Sequence, residues 1–315
     1  MKPARSLSGV KVQGIASRKF SKALIYAVMN RIPKSYGSYE KLLLDPNIDA
    51  VYNPLPNGLH AEWSMRVLEA GKHVLCEKPI ASNAAQATRM KKTAETSGKL
   101  LVEAFHYRYH PLVNRIREII IDDQIGELKE MYAKFCINME NRTNDIRFDY
   151  ELGGGGLMDV GCYAVNLLRY LGGEEPVVVS AKAKVWEQQI DTYLHGELKF
   201  PSGCDASLDC SLLTRNGGSD LKITGSEGFL RCRGPFDSYG NDIEIYSSKD
   251  RSKPTRVEKI RTGHKQSTYY FQLNRFMEAL LEDGKPMETD INDAIANMRV
   301  IDALYKEVGL KPRGN

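Results

Sequence analysis

The chain has 315 residues, beyond the length at which a single core keeps growing, so two domains are expected. Hydrophobic residues make up 42% and charged residues 27%, the balance of a globular protein, which excludes a disordered or fibrous chain. The net charge of +4 suits an anionic small ligand but is too evenly spread for a nucleic-acid footprint, and residues 1–9 lack the apolar core of a signal peptide.

The first hundred residues alternate strand and helix, the pattern of a parallel sheet with helices on its faces. Val10 to Ala16 reads as a strand, Lys19 to Arg31 as a helix, Tyr39 to Leu44 as a short helix, and Ala50 to Asn53 as a strand. A helix over Leu59 to Ala70 leads to the strand His73 to Cys76. Ser82 or Asn83 can cap a helix over Ala84 to Ser97, and a strand follows over Leu100 to Phe105. The pattern then changes. A helix to about Ile121 and a strand near Leu128 to Ile137 precede the glycine run Gly153 to Gly156, and a helix runs from Asp159 to Leu171. Residues 177 to about 257 are mostly strands. Asp205 to Leu212 alternates apolar and polar residues, the mark of an antiparallel sheet with one polar face. Helices over Gln266 to Glu282 and Asp290 to Val308 complete the series. The fold class is α/β: a doubly wound parallel sheet over residues 1–108, then an α+β domain over 109–315 with a large, mostly antiparallel open sheet.

No apolar run is long enough to span a bilayer, so a cytoplasmic protein without membrane partners is expected. The six cysteines lie far apart with no C-x-x-C pair, which argues against a zinc site or redox dithiol and fits reduced thiols. Asn141-Arg142-Thr143 matches a glycosylation triplet, which matters only on a secretory route.

The stretch Gly71 to Pro79 is a short apolar strand running into Glu77-Lys78-Pro79. A lysine where a parallel strand ends lies at the edge of a sheet crevice, the usual ligand location in open α/β folds. The proline restricts the turn, so the lysine is held rather than mobile. A second group stands in the helix after the glycine run, where Asp159 and Tyr163, four residues apart, share a face with Asn166 close to the same stripe. A nearby ammonium favours the phenolate and lowers a tyrosine's pKa, so Lys78 and Tyr163 form a workable acid/base pair for a hydroxyl proton. The plainer readings are a solvated turn lysine and a tyrosine capping the core. Pro54 to His60 forms another crevice loop, in which His60 alone reads better as a structural histidine than as a catalyst. Ser17 and Arg18 follow the first strand where an NAD-binding fold carries an acidic residue, and an arginine with a small hydroxyl suits the 2′-phosphate of NADP. No G-x-G-x-x-G occurs anywhere in the chain.

Taken in order, Gly14 to Arg18, Tyr36 to Glu40, Ile48 to His60, Glu77 to Pro79, Glu103 to Pro111 and Gly154 to Tyr163 resemble the Gfo/Idh/MocA oxidoreductase family over almost the whole chain. The resemblance implies a Rossmann domain followed by an α/β domain whose open sheet often forms a homodimer interface. It implies Lys78 and Tyr163 as the catalytic pair, Asp159 orienting the substrate, and Ser17, Arg18, Asn53, Pro54, His60, Glu77 and Lys78 lining the cofactor site. The implied cofactor is NADP, with NAD possible. The implied activity is hydride transfer between nicotinamide and a hydroxyl of a sugar or cyclic diol, of D-xylose or trans-dihydrodiol type. The alternative is a truncated, catalytically silent member acting as a binding or partner subunit. Family members begin with a strand and a glycine-rich turn, whereas Met1 falls where the first helix is already under way. In the strand order 3-2-1-4-5-6, a missing first strand splits the sheet between strands 2 and 4.

Overall fold

The computed structural model describes residues 2–142, 144–263, 266–281 and 286–314. Its first part runs α1 (Lys2–Ser6), β1 (Gly14–Ala16), α2 (Phe20–Met29), β2 (Lys34–Tyr36), α3 (Tyr39–Leu43), β3 (Ala50–Asn53), α4 (Asn57–Glu69), β4 (His73–Cys76), α5 (Ala84–Ser97) and β5 (Leu101–Glu103). All of its strand pairs are parallel, but they form two sheets, β1-β2 and β3-β4-β5. No strand pair joins the two sheets among the described residues. Val74, Leu75 and Cys76 of β4 are all buried, as in a strand covered on both faces. Asn83 caps α5 by accepting from the Gln86 amide at 2.8 Å, and Gly98 at φ +62° closes it.

Two elements differ from expectation. The first strand is only three residues long, and Lys34–Tyr36 is a strand that no sequence pattern announces. Asp45 secures β2 from outside by pairing with Lys34 Nζ at 2.6 Å and accepting from the Tyr36 hydroxyl.

The second part continues α6 (Pro111–Ile121), β6 (Leu128–Asn138), α7 (Cys162–Gly172), β7 (Val177–Val185), β8 (Asp191–Lys199), β9 (Asp205–Ser211), β10 (Leu213–Gly225), β11 (Gly228–Arg233), β12 (Gly240–Ser247), β13 (Arg256–Arg261), α8 (Thr268–Leu281) and α9 (Ile291–Glu307). A wide helical turn, Leu157–Gly161, leads into α7. Eight strands form one sheet in the order β13-β12-β11-β10-β6-β9-β8-β7, antiparallel except where β6 meets β9. Ala206, Leu208 and Cys210 of β9 are buried, the face that the alternation assigns to the core. On the opposite face the Tyr132 and Tyr193 hydroxyls donate to Asp209 at 2.9 and 2.7 Å. Helix α9 packs on α5, α7 and β7, and Asp290 bridges to Val102, so the last helices tie the two parts together. Thr143 of the glycosylation triplet and Glu282 at the expected helix end lie outside the described residues. All six cysteines are free and buried, and among the described residues no helix is long and apolar enough to cross a membrane.

Candidate active site

The carboxyl ends of β3 and β4 open onto a cleft whose other wall is the glycine run. Pro54, His60, Glu77 and Lys78 line one side, and Arg147, Gly154, Gly155 and Asp159 the other. The walls are knitted together at their base: Asn57 Nδ2 donates to Gly153 O at 3.0 Å and the Gly58 amide to Leu152 O at 2.8 Å. Gly58 is required here, because a Cβ would lie 2.5 Å from the backbone oxygen of Glu151.

Lys78 reaches across this cleft. Its Nζ donates to Asp159 O at 2.7 Å and Asp159 Oδ1 at 3.3 Å, and lies 5.0 Å from the centroid of the Tyr163 ring. Burial works against the ammonium, but Asp159, helped by Cys162 and Glu77, outweighs it, so Lys78 titrates above its ordinary value. Burial likewise opposes the Asp159 carboxylate, and Lys78 and Arg147 overcome it, leaving the carboxyl below its usual range. Arg147 Nε donates to Asp159 Oδ2 at 2.6 Å and Arg147 Nη1 to Asp145 at 2.9 Å. Asp159 is thereby a carboxylate shared by two cations.

Tyr163 is enclosed by Phe105, Phe135 and Phe236 with ring centroids 5.3, 5.4 and 5.1 Å away. Its hydroxyl meets His106 Nε2 at 3.3 Å. The sequence suggests that the lysine lowers this phenol's pKa. In the structure burial dominates, with Glu77 adding to it, and the phenol lies well above 10. The ammonium stands over the ring face rather than against the hydroxyl, so it stabilises charge that spreads into the ring without making a resting phenolate.

Asn53 is buried beneath the cleft and donates to Ser64 Oγ at 3.0 Å. His60 is wedged between Pro79 O (2.8 Å) and Leu55 O (2.6 Å), and burial depresses its pKa to about 4, so the neutral ring has one N–H to donate to one of these two carbonyls. Glu77 accepts from the Tyr52 hydroxyl. Ser17 and Arg18 follow the end of β1 and do not line this cleft; Arg18 is exposed. Asn166 leaves the expected stripe: it is fully buried, accepting from Tyr107 at 2.6 Å and Arg108 at 3.1 Å. Sequence reasoning also misses His106, Arg147 and Tyr269, which stacks on His106 at 4.2 Å. Arg147 stands twelve residues before Asp159, and nothing local marks it as that residue's partner.

This donor set fits the reactive end of a nicotinamide dinucleotide. A lysine stands at a parallel strand end with a carboxylate fixing it and a buried phenol beside it. A pyrophosphate cradle is not found among the described residues: no glycine fingerprint occurs, and the parallel strands divide between β1 and β3, where such a cradle sits.

Residues 1–105 match the oxidoreductase family with an NAD-binding Rossmann fold, and residues 113–231 the GFO/IDH/MocA C-terminal domain. The chain is 33% identical to D-xylose 1-dehydrogenase (NADP(+)) 2 of Haloferax volcanii over 96% of its length and 91% of that protein's. It is 33% identical to trans-1,2-dihydrobenzene-1,2-diol dehydrogenase of Xenopus tropicalis over 76% of the chain and 72% of that protein. In three dimensions it resembles a 3-ketoreductase from Actinomadura kijaniata solved with NADP and TDP-benzene. The TM-score is 0.87 and the identity 27%, covering 98% of this chain and 93% of that one. Two domain matches in order and similarity to known dehydrogenases over most of the chain lead to one conclusion: the chain belongs to the Gfo/Idh/MocA oxidoreductase family.

Proposed function

We propose that this protein is an NADP-dependent dehydrogenase acting on a CH–OH group of a sugar or cyclic diol, with residues 1–108 as its nucleotide unit and 109–315 as its substrate unit. The observation that carries this reading is the Lys78 ammonium held between the Asp159 carboxylate and the face of Tyr163 at the end of β4. Nicotinamide, when bound, supplies the hydride acceptor for oxidation and the donor for reduction. Tyr163 moves the hydroxyl proton. Because burial keeps its phenol protonated, the resting site is set to donate a proton to a carbonyl oxygen, the state that reduction needs. In oxidation Tyr163 takes the proton as a phenolate, which the ammonium over its ring stabilises. Asp159 keeps Lys78 charged and in place.

Tyr269 and Tyr52, 41% and 50% exposed, offer apolar ring faces beside this pair on which a sugar or diol ring can stack. The named substrates of the two dehydrogenase relatives support that class. Ser17 and Arg18 would hold the 2′-phosphate of NADP, and no carboxylate stands there to favour the ribose of NAD. The polar face of the eight-stranded sheet, with Asp209 at its centre, suits a homodimer interface. The test is nicotinamide reduction with D-xylose and with a trans-dihydrodiol. Turnover faster with NADP than with NAD is expected, and no turnover with either substrate and either cofactor would refute the reading.

A further inference from the structure

The segment after α9 carries an arginine that the chemistry above does not use. Arg313 and Asp191 form an ion pair at 2.9 Å in which both side chains are fully buried. The guanidinium lies 4.2 Å from the Tyr305 ring centroid, and the Tyr305 hydroxyl donates to Asp191 at 2.8 Å. A buried ion pair is weak evidence for stability, since an apolar set of the same volume often serves as well, so what it specifies matters more.

What it specifies is the glycine run. Arg313 Nε donates to Gly154 O at 2.7 Å, and Asp191 Oδ2 accepts from the Leu157 amide at 2.6 Å, the first residue of the turn that carries Asp159. Gly155 sits between these contacts at φ +127°, where a Cβ would strike the Asp191 carboxylate. A run of glycines has no side chains with which to anchor itself, and here the anchor comes from elsewhere in the chain. The same residue also reaches the lysine side. Arg313 O accepts from Asn83 Nδ2 at 2.7 Å, and Asn83 caps the helix that follows the Lys78 turn.

We infer that residues 311–314 form a clamp for the active site, with Arg313 a positioning residue that fixes the Gly154–Leu157 loop to the Asn83 cap and so sets Asp159 against Lys78. The inference rests on the reading of Lys78, Asp159 and Tyr163 as the reactive groups, and its test includes a measurement independent of turnover.

Amide hydrogen exchange is followed in the full chain and in Arg313→Met for peptides covering residues 154–163, with residues 205–211 of β9 as reference. The expected result is exchange at least about 10-fold faster in 154–163 with the reference unchanged, because a charged hydrogen bond to the loop is lost. With it, kcat falls at least about 10-fold while KM moves less than about threefold, the split expected of lost positioning. Unchanged exchange, or exchange raised equally in both segments, overturns the clamp, and so does local loosening with an unaltered kcat. If Arg313→Met does not fold, Arg313→Lys replaces it. That variant keeps the charge opposite Asp191 but loses the fork to Gly154 O, so the same local pattern at smaller amplitude supports the inference and wild-type exchange refutes it. Absence of turnover in the wild-type chain would instead refute the assignment of function, whatever the exchange.

Discussion

Replacing Lys78 by methionine removes the ammonium while keeping most of the side-chain volume. The ammonium lies 5.0 Å from the Tyr163 ring centroid. At an effective dielectric constant of about 20, a unit charge at that separation stabilises a phenolate by about 3 kcal/mol. At about 1.4 kcal/mol per decade, that is on the order of 10²-fold in any step whose transition state carries negative charge on Tyr163. Asp159 retains its 2.6 Å contact with Arg147, so the wall of the cleft should survive the change. The assay is steady-state turnover of wild type and Lys78→Met, with thermal unfolding as a check on the fold. A kcat reduced on the order of 10²-fold or more, with an unfolding midpoint within a few degrees of wild type, is expected. A kcat within about threefold of wild type would refute the assignment of charge stabilisation to Lys78.

Tyr163→Phe should lower kcat by about 10² to 10⁴-fold with the fold intact, read by turnover and circular dichroism, since it deletes the proton-transferring hydroxyl. Arg18→Ala should weaken NADPH binding about 10 to 100-fold and leave NADH binding unchanged, which parallel titrations would measure. Glu103 gives a pH signature. Burial pushes its carboxyl from 4.5 up to about 8, so the fold favours the neutral acid, whose contribution is full below pH 4.5 and is lost as the pH rises through about 8. Glu103→Gln keeps an acceptor for the Ile80 amide, now at 2.7 Å from Oε1, and cannot ionise. Its unfolding midpoint should gain on wild type from about pH 5 to about pH 9, and a pH-independent difference would contradict the assignment.

Much of the scaffold was legible because its signals are local. The strand His73–Cys76 and the helix Ala84–Ser97 with its Asn83 cap fall where the apolar run and capping residue place them, and β9 buries the residues that the alternation assigns to the core. The strand Lys34–Tyr36 was not legible, since three mostly polar residues carry no period and Asp45 holds them from outside. Within the site, the strand-end position of Lys78 and the helix bearing Asp159 could be read from pattern. The direction of the Tyr163 shift could not, because it depends on Phe105, Phe135 and Phe236 converging from distant segments to exclude water. Arg147 and Arg313 went unread because their ion pairs, with Asp159 twelve residues away and Asp191 122 residues away in sequence, exist only once the chain is folded.

The proposed function depends on this chain holding a nicotinamide nucleotide beside Lys78 although its parallel strands divide between β1 and β3. Calorimetric titration of the intact protein with NADPH tests it most directly. Saturable one-site binding with a Kd on the order of micromolar is expected, whereas no saturation up to about 1 mM would overturn the proposed nucleotide site.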